Sequence, residues 1–182
     1  IEPGQSVALV GRTGSGKTST ISLLQKFYDI SEGDIKIDGV SIKEVAPQDL
    51  RPRVGVVQQD GFVFSGTIFS NISMFDPKIT RERAQWAAEQ AQCHDILRKH
   101  GGLDGKVQER GSNLSAGERQ LLAFARVLAF DPDILILDEA AANIDSVSER
   151  AIQKATEVVT RGRTSVIIAH RLSTILHSDL IV

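Results

Sequence analysis

Eight consecutive residues near the N-terminus have the types and spacing of a phosphate-binding loop: Gly11, Arg12, Thr13, Gly14, Ser15, Gly16, Lys17 and Thr18. They match the pattern G-x-x-x-x-G-K-[ST] at every required position. The glycines let the main chain curl so that successive N–H groups point into one concavity, which attracts phosphate. Lys17 can reach the β- and γ-phosphates of a nucleotide, and the Thr18 hydroxyl can ligate Mg²⁺.

The segments on either side of this loop supply the context that the pattern needs. The apolar run 7–10 precedes the loop, and the helix-compatible run 19–24 follows it. A strand, a glycine loop and a helix in this order place the positive end of the helix at the loop, where it also favours phosphate. The alternative is a glycine-rich turn that matches the pattern by chance.

A second group of candidate residues follows an apolar run at 134–137, where Asp138 and Glu139 stand side by side. In parallel α/β sheets, ligands bind outside the carboxyl ends of the strands. We therefore expect Asp138 near the loop, where it holds Mg²⁺ directly or through water. Glu139 can orient and deprotonate an attacking water. The alternative is a helix N-terminus that carries two acids for local stability.

The segment 114–120 is a third signal, with Ser115 three residues before Glu118 and an apolar run after them. This spacing is a capping box, which by itself explains a helix start. A serine hydroxyl, the main chain of Gly117 and a helix N-terminus also form an anion site. Both interpretations can hold together.

The composition indicates one domain of 182 residues with an ordinary core, since 41% of the residues are hydrophobic and 24% are charged. A net charge of −2 gives no sign of a nucleic-acid or anionic-membrane surface. Cys93 is the single cysteine, so no internal disulfide forms, and we expect a half-buried helix residue and not a nucleophile. No apolar run is long enough to span a membrane, and no signal peptide is present. The abrupt ends suggest a fragment of a longer polypeptide.

The chain alternates between strand-like and helix-like segments, which predicts an α/β fold with a largely parallel sheet flanked by helices. The strand candidates are Ser6–Val10, Asp34–Ile37, Val54–Val57, Ile134–Leu137, Thr164–Ile168 and Leu180–Val182. The middle third favours helices, at 80–99 and 116–130, with no strong strand between Val57 and Ile134. We expect an α/β core over about 1–74 and 131–182, and a mostly helical subdomain over about 75–130.

Six motifs in order make the chain resemble the nucleotide-binding domain of ATP-binding cassette (ABC) transporters. The phosphate-binding loop is similar to their P-loop, and 114–118, LSAGE, resembles their signature motif, usually LSGGQ. The remaining resemblances are the Q-loop glutamine at Gln59, the Walker B aspartate and catalytic glutamate at Asp138 and Glu139, the D-loop at Ala142–Asp145, and the switch histidine at His170.

The resemblance implies a P-loop NTPase core whose helical insert carries the signature, and an ATPase that uses ATP and Mg²⁺. It makes Gln59 a ligand of Mg²⁺ and water, and the alternative is a surface amide. It makes His170 a hydrogen-bond donor to the γ-phosphate, and the alternative is a structural histidine. Ser115, Gly117 and Glu118 would serve the nucleotide of a second, head-to-tail domain. Asp145 would either contact that partner or only cap the helix that starts near Ser146.

Two segments resemble exporter-type members in particular. The run 62–72 is similar to the region that receives the coupling helices of the membrane domains, and 108–111 is similar to the exporter X-loop. The alternative for 62–72 is packing into the domain's own core. The resemblance thus implies a location at the cytoplasmic face of a membrane, with transmembrane domains as partners and no nucleic acid. Two other functions remain open: a soluble cassette ATPase of DNA repair or translation, and an ATP-binding module that dimerises without hydrolysis.

The sequence departs from the usual family pattern at four positions: Gln58, Ala116, Glu118 and Ala142. The two departures in the signature are mild, so we expect the signature to work. In the family that the chain resembles, an aromatic residue that stacks on adenine lies before the P-loop strand; no aromatic residue precedes Gly11 here, so this residue is expected to lie outside the fragment. Because aromatic stacking contributes about 0.5–1.5 kcal/mol beyond burial, we expect weaker nucleotide affinity from this chain.

Overall fold

A computed structural model describes residues 1–12, 14–58, 61–138, 146–168 and 178–182. In these ranges the strands β1 to β9 span Ser6–Leu9, Lys36–Ile37, Val40–Ser41, Val54–Val57, Gly66–Thr67, Lys106–Val107, Ile134–Asp138, Thr164–Ile168 and Leu180–Ile181. The helices α1 to α7 span Lys17–Leu24, Pro47–Leu50, Ile68–Ser73, Arg81–Gln90, His94–His100, Ala116–Phe130 and Ser146–Thr160. Short 3₁₀ turns lie at Ile42–Glu44, Arg51–Arg53, Gly102–Asp104 and Glu109–Gly111.

Five strands form the central sheet in the order β4-β7-β8-β1-β9, and all four neighbouring pairs are parallel. The middle of β7 is fully buried, with Leu135 and Ile136 both 0% exposed. This confirms that the continuous apolar runs are strands covered on both faces, as parallel sheets require.

The register of the sheet sets the last residues of three strands side by side. Asp138 of β7 pairs with Ile168 of β8, and Ile168 pairs with Leu9 of β1. Because neighbouring strands lie about 4.8 Å apart, Asp138 is about 10 Å from the end of β1, where the glycine loop begins. The carboxyl edge of the sheet therefore places Asp138 near the start of the glycine loop, as predicted from the sequence.

The strand predicted at Asp34–Ile37 is shorter than expected. Only Lys36 and Ile37 are extended, and they pair antiparallel with Val40 and Ser41 as a hairpin apart from the main sheet. Asp38 and Gly39 turn the chain at φ of 50° and 81°. This left-handed pair matches the two-residue turn that favours a hairpin, so the local turn decides the pairing.

The middle third is mostly helical, as predicted, with two differences. The expected helix at 80–99 is two helices, because the chain turns at Gln92, whose φ is 62°, between α4 and α5. The region between Val57 and Ile134 also holds a small antiparallel pair, β5 with β6. Two residues per strand are too few to produce an alternating pattern, so the sequence carries no signal for this pair.

Helix α6 lies at the centre of the packing, where it contacts α3, α4, α7 and β4. One continuous apolar cluster joins these elements, from Ala8 in the sheet to Ala87 in α4. Cys93 belongs to this cluster and is 0% exposed, not half-buried as predicted; it is the cap residue before α5. Its burial raises the pKa of the thiol far above the usual range, which excludes a thiolate nucleophile.

None of the helices within the described ranges is long and apolar enough to cross a membrane.

Candidate functional site: a glycine loop at the carboxyl edge of the sheet

The glycine loop connects β1 to α1 through main-chain conformations that favour glycine. Gly14 and Gly16 have φ values of 87° and 94°. A Cβ on Gly11 would lie only 2.7 Å from Ser15 Oγ, so a side chain here would displace the Ser15 hydroxyl. The residue types in the pattern therefore follow from the shape of the turn.

Helix α1 begins at this loop with an open N-terminus. Its cap residue is Gly16, no side chain caps it, and no acidic residue stands in its first turn. In the part of the chain that the structure describes, the N–H groups of Gly16, Lys17 and Thr18 have no hydrogen-bond acceptor. Such N–H groups at the positive end of a helix form an anion-binding site.

The side chain of Lys17 folds back over the loop. Its Nζ donates hydrogen bonds to the main-chain oxygens of Gly11 at 2.7 Å and Arg12 at 3.1 Å, and lies 3.4 Å from Ser15 Oγ. The ammonium group thus lies inside the turn, where it can exchange these neutral oxygens for phosphate oxygens. A phosphate oxygen is the stronger acceptor because it is charged.

Asp138 ends β7 at the same edge of the sheet and is half-buried. Within the described residues no three His, Cys, Asp or Glu side chains lie close enough together to hold a metal ion by themselves. One carboxylate, one hydroxyl from Thr18 and the phosphates of a substrate form a donor set that suits Mg²⁺, which takes few protein ligands. The residues present therefore fit Mg²⁺ bound together with a nucleotide.

Several predicted site residues lie outside the described residues: Thr13, Gln59, Glu139, the D-loop 142–145 and His170. Their described chain neighbours are nevertheless informative. Val57 of β4 lies beside Leu137 of β7, so the chain leaves β4, β7 and β8 at one edge of the sheet before it reaches Gln59, Glu139 and His170.

The signature segment forms the capping box expected from its spacing. Ser115 is the cap residue of α6: its Oγ accepts from the Glu118 N–H at 3.1 Å, and its own N–H donates to Glu118 Oε2 at 2.7 Å. The other carboxylate oxygen, Oε1, lies 3.0 Å from Lys99 Nζ on α5. Both oxygens of Glu118 are thus engaged within the domain.

The environment of Glu118 has opposing effects on its pKa. Partial burial acts to raise the pKa, while the Ser115 N–H and the Lys99 ammonium lower it, with a smaller contribution from His100. The net effect is a pKa below the usual value for glutamate. Glu118 is therefore ionised at neutral pH, and a negative charge stands at the start of α6.

The segment 62–72 has both buried and exposed apolar residues. Val63, Ile68 and Ile72 are buried in the core, whereas Phe62 is 63% exposed. The ring of Phe64 stacks on Phe75, which is 72% exposed, with 5.3 Å between the ring centroids. The segment therefore packs partly into its own core and leaves an aromatic surface outside.

Arg126 of α6 holds this segment in place. Its guanidinium donates to the main-chain oxygens of Asn71 at 3.0 Å and Phe62 at 3.1 Å. Gly61 lies directly on α6, since a Cβ there would be 2.6 Å from the Arg119 main-chain oxygen. The segment after Gln59 is thus in direct contact with α6, which is called the signature helix below because the signature motif lies at its start.

The segment 108–111 folds as a compact turn before α6. The side chain of Asn113 accepts from the Gln108 N–H and donates to the Lys106 main-chain oxygen. Arg110 and Gly111 take φ values of 54° and 65° within this turn. A Cβ on Gly111 would lie 2.4 Å from Val63 Cγ2, so the turn packs closely against the segment that follows Gln59.

Three residues near the site were not predicted from the sequence: Lys99, Gly61 and Arg126. Lys99 lies 19 positions from its partner Glu118, and Arg126 lies 55 and 64 positions from the oxygens it binds. No local pattern records contacts of this kind. Gly61 is the exception, because an isolated glycine beside an apolar segment is a recognised signal of close main-chain approach.

A glycine loop between the first strand and an open helix, with an acid at the end of a nearby parallel strand, defines a P-loop NTPase. Comparison with known proteins defines the family within this class. The model for the family described as ABC transporter matches residues 1–142. The chain therefore belongs to the ABC transporter family, and the family and fold predicted from the six motifs are confirmed.

The chain is similar to two bacterial proteins over nearly its whole length. It is 53% identical over 99% of its residues to "Probable multidrug resistance ABC transporter ATP-binding/permease protein YheH" of Bacillus subtilis, covering 27% of that protein. It is 46% identical over its full length to a protein of Staphylococcus aureus named "Putative multidrug export ATP-binding/permease protein", covering 32% of that protein. The chain thus spans about a third or less of these relatives.

Among solved structures, a bacterial Atm1-family ABC exporter with ATP bound matches with a TM-score of 0.88 and 40% identity, over 100% of this chain and 32% of that one. At 40% identity over the whole chain, this likeness confirms the predicted fold.

Proposed function

We propose that this chain is the ATP-hydrolysing domain of an ABC exporter, and that ATP binding and hydrolysis here drive transport across a membrane. The observation that carries the proposal is the open N-terminus of α1, with the Lys17 ammonium inside the glycine loop. The multidrug and export relatives support transport over a soluble ATPase of DNA repair or translation.

The nucleotide's phosphates bind to the loop residues 11–18. The N–H groups of the first turn of α1 and the Lys17 ammonium donate to the phosphate oxygens. Thr18 and Asp138, with Gln59, are the proposed protein ligands of Mg²⁺. When bound, Mg²⁺ neutralises charge on the β- and γ-phosphates.

Hydrolysis is attack of a water on the γ-phosphate, for which positioning and charge neutralisation supply most of the catalysis. Glu139 accepts the proton of this water, and Gln59 helps to position the water. His170 donates a hydrogen bond to the transferred phosphate. The geometry that supports these roles is that β4, β7 and β8 all end at the edge of the sheet where β1 meets the loop.

The proposed partner is a second nucleotide-binding domain in a head-to-tail pair, identical or different. Ser115 and Gly117 serve the nucleotide of that partner, Glu118 takes part through its capping box with Ser115, and Asp145 contacts the partner. The transmembrane domains of the same transporter contact the segments 62–72 and 108–111, which places this chain at the cytoplasmic face of a membrane. Nucleic acid is not a proposed partner. The division into a core, about 1–74 and 131–182, and a helical subdomain, about 75–130, also stays a proposal.

The proposal is tested by Lys17→Ala in the full-length protein. This change removes a charged donor from the loop, and we expect ATP affinity to fall about 10- to 100-fold. Lys36→Ala, which removes an exposed lysine from β2, is the control and should bind ATP as the wild type does. Unchanged ATP affinity in Lys17→Ala would exclude this lysine from the site.

A phosphate-release assay on the wild type separates hydrolysis from the alternative of an ATP-binding module that only dimerises. Release that depends on ATP and disappears in Lys17→Ala supports an ATPase. Tight ATP binding without release would favour the dimerisation module.

A further inference from the structure

Lys99 and Glu118 form an ion pair between two helices at the start of the signature helix. Lys99 Nζ, in the last turn of α5, lies 3.0 Å from Glu118 Oε1, in the first turn of α6. The Glu118 side chain is only 16% exposed, while that of Lys99 is 58% exposed. The carboxylate is therefore largely buried, and the lysine reaches it from a more exposed position.

The pair occupies a place where main-chain donors are free. Within the described residues, the N–H groups of Ala116 and Gly117 have no acceptor, because the capping box engages only Ser115 and Glu118. Ala116 is exposed and Gly117 is buried, so an incoming anion reaches the Ala116 N–H first. Both N–H groups stand one and two residues before an ionised carboxylate.

A carboxylate in this position has two effects on a phosphate. It repels the phosphate through space, and this repulsion is strong where protein excludes water. A free carboxylate oxygen can also rotate towards the open N–H groups and accept from them, since anions are favoured at a helix N-terminus. Both effects lower the affinity of the helix start for phosphate unless the carboxylate is neutralised and held.

We propose that Lys99 is a positioning residue for the signature: it neutralises Glu118 and holds its carboxylate on the Ser115 N–H, so that the Ala116 and Gly117 N–H groups remain available to the γ-phosphate of the partner's ATP. This inference rests on the proposed function. Lys99 does not touch the nucleotide, and its effect passes entirely through Glu118.

Removal of the charge of Lys99 tests the inference when it is combined with removal of the charge of Glu118. In the full-length protein, Lys99→Gln should raise the KM for ATP about three- to tenfold, as the loss of one partly screened charge pair predicts. The same change in a Glu118→Gln background should alter the KM of that background less than twofold, because no carboxylate remains to be neutralised. Lys99→Arg, which keeps the charge, should restore the wild-type KM.

Arg98→Gln is the matched control. Arg98 precedes Lys99 on α5, its side chain is 83% exposed, and it pairs with Asp95 in the same helix. The change in charge is the same as in Lys99→Gln, but the carboxylate at the signature is untouched, so the KM should stay within twofold of the wild type. Added salt should reduce the effect of Lys99→Gln, because salt screens a charge near the surface.

The outcomes separate this inference from the proposed function. If the wild type releases phosphate from ATP but Lys99→Gln raises the KM equally in both backgrounds, Lys99 has only a structural role and the inference is wrong. The same conclusion follows if Arg98→Gln reproduces the effect or Lys99→Arg fails to restore the KM. If the wild type itself releases no phosphate, the proposed function is wrong, and the inference falls with it.

Discussion

The guanidinium of Arg83 donates a hydrogen bond to the main-chain oxygen of Leu128 at 2.7 Å and thereby joins α4 to the end of the signature helix. A second bond reaches the oxygen of Ala129 at 3.1 Å, and the guanidinium also lies 4.2 Å from the centre of the Trp86 ring. The last carbonyls of a helix have no partner inside the helix, so a side-chain cation there satisfies them and complements the helix dipole.

Arg83→Met should therefore destabilise the domain by about 1–3 kcal/mol, because two carbonyls lose a charged donor while the apolar stem remains. Urea denaturation of the 182-residue chain, followed by circular dichroism, measures this change. Arg98→Met removes an exposed ion pair and should cost less than about 0.5 kcal/mol. Equal stability of the two variants would show that Arg83 contributes no more than a surface charge.

Gly61→Ala should damage the contact between the chain after Gln59 and the signature helix. A Cβ at this position would lie 2.6–2.9 Å from main-chain atoms of Arg119 and Gln120. These atoms belong to α6, so they can relieve the clash only if the helix shifts. Overpacking of this kind costs about 1–3 kcal/mol. We also expect lower ATPase activity, since Gln59 lies two residues away.

The comparison for this change is Gly33→Ala. Gly33 has a φ of 79°, and a Cβ there would meet nothing within 4 Å. This control strains a turn without touching α6, so its ATPase activity should equal that of the wild type. Normal stability and activity in Gly61→Ala would contradict a close contact between the segment after Gln59 and α6.

Glu139→Gln should keep ATP binding and slow turnover by roughly 10²–10⁴, which is the usual contribution of a positioned general base. The amide has the shape of the carboxylate but accepts no proton from the attacking water. ATP binding and phosphate release, measured on the same full-length sample, check both parts. Glu32→Gln, at an exposed position, is the control. Turnover within twofold of the wild type would show that another group activates the water.

Mixing two inactive variants tests whether the signature acts on the nucleotide of a partner. In full-length protein, Lys17→Ala impairs the P-loop, and Ser115→Arg blocks the start of α6. A mixed dimer regains one intact site, with its P-loop from one chain and its signature from the other. We expect ATPase activity to return when subunits exchange. A verified mixed dimer without activity would contradict a signature that acts across the interface.

The conformation of the glycine loop could be predicted from the sequence because it depends on neighbouring residues. Gly14 and Gly16 are needed for main-chain angles within a single turn, and Lys17 binds oxygens five and six positions away. The capping box of Ser115 and Glu118 is local in the same sense. The place of Asp138 followed from one further rule, that parallel strands end at a common edge.

Contacts between distant segments could be seen only in the tertiary structure. The pairing of Lys99 with Glu118, the bonds from Arg126 to the chain after Gln59, and the bond from Arg83 to Leu128 each join separate elements. A long side chain reaches such a partner only after the helices have packed. The residues next to a lysine or arginine in the sequence do not show which of these side chains makes a distant contact. The sequence by itself therefore determined the family, the fold class and the glycine loop, whereas packing decided which residues hold α6 in place.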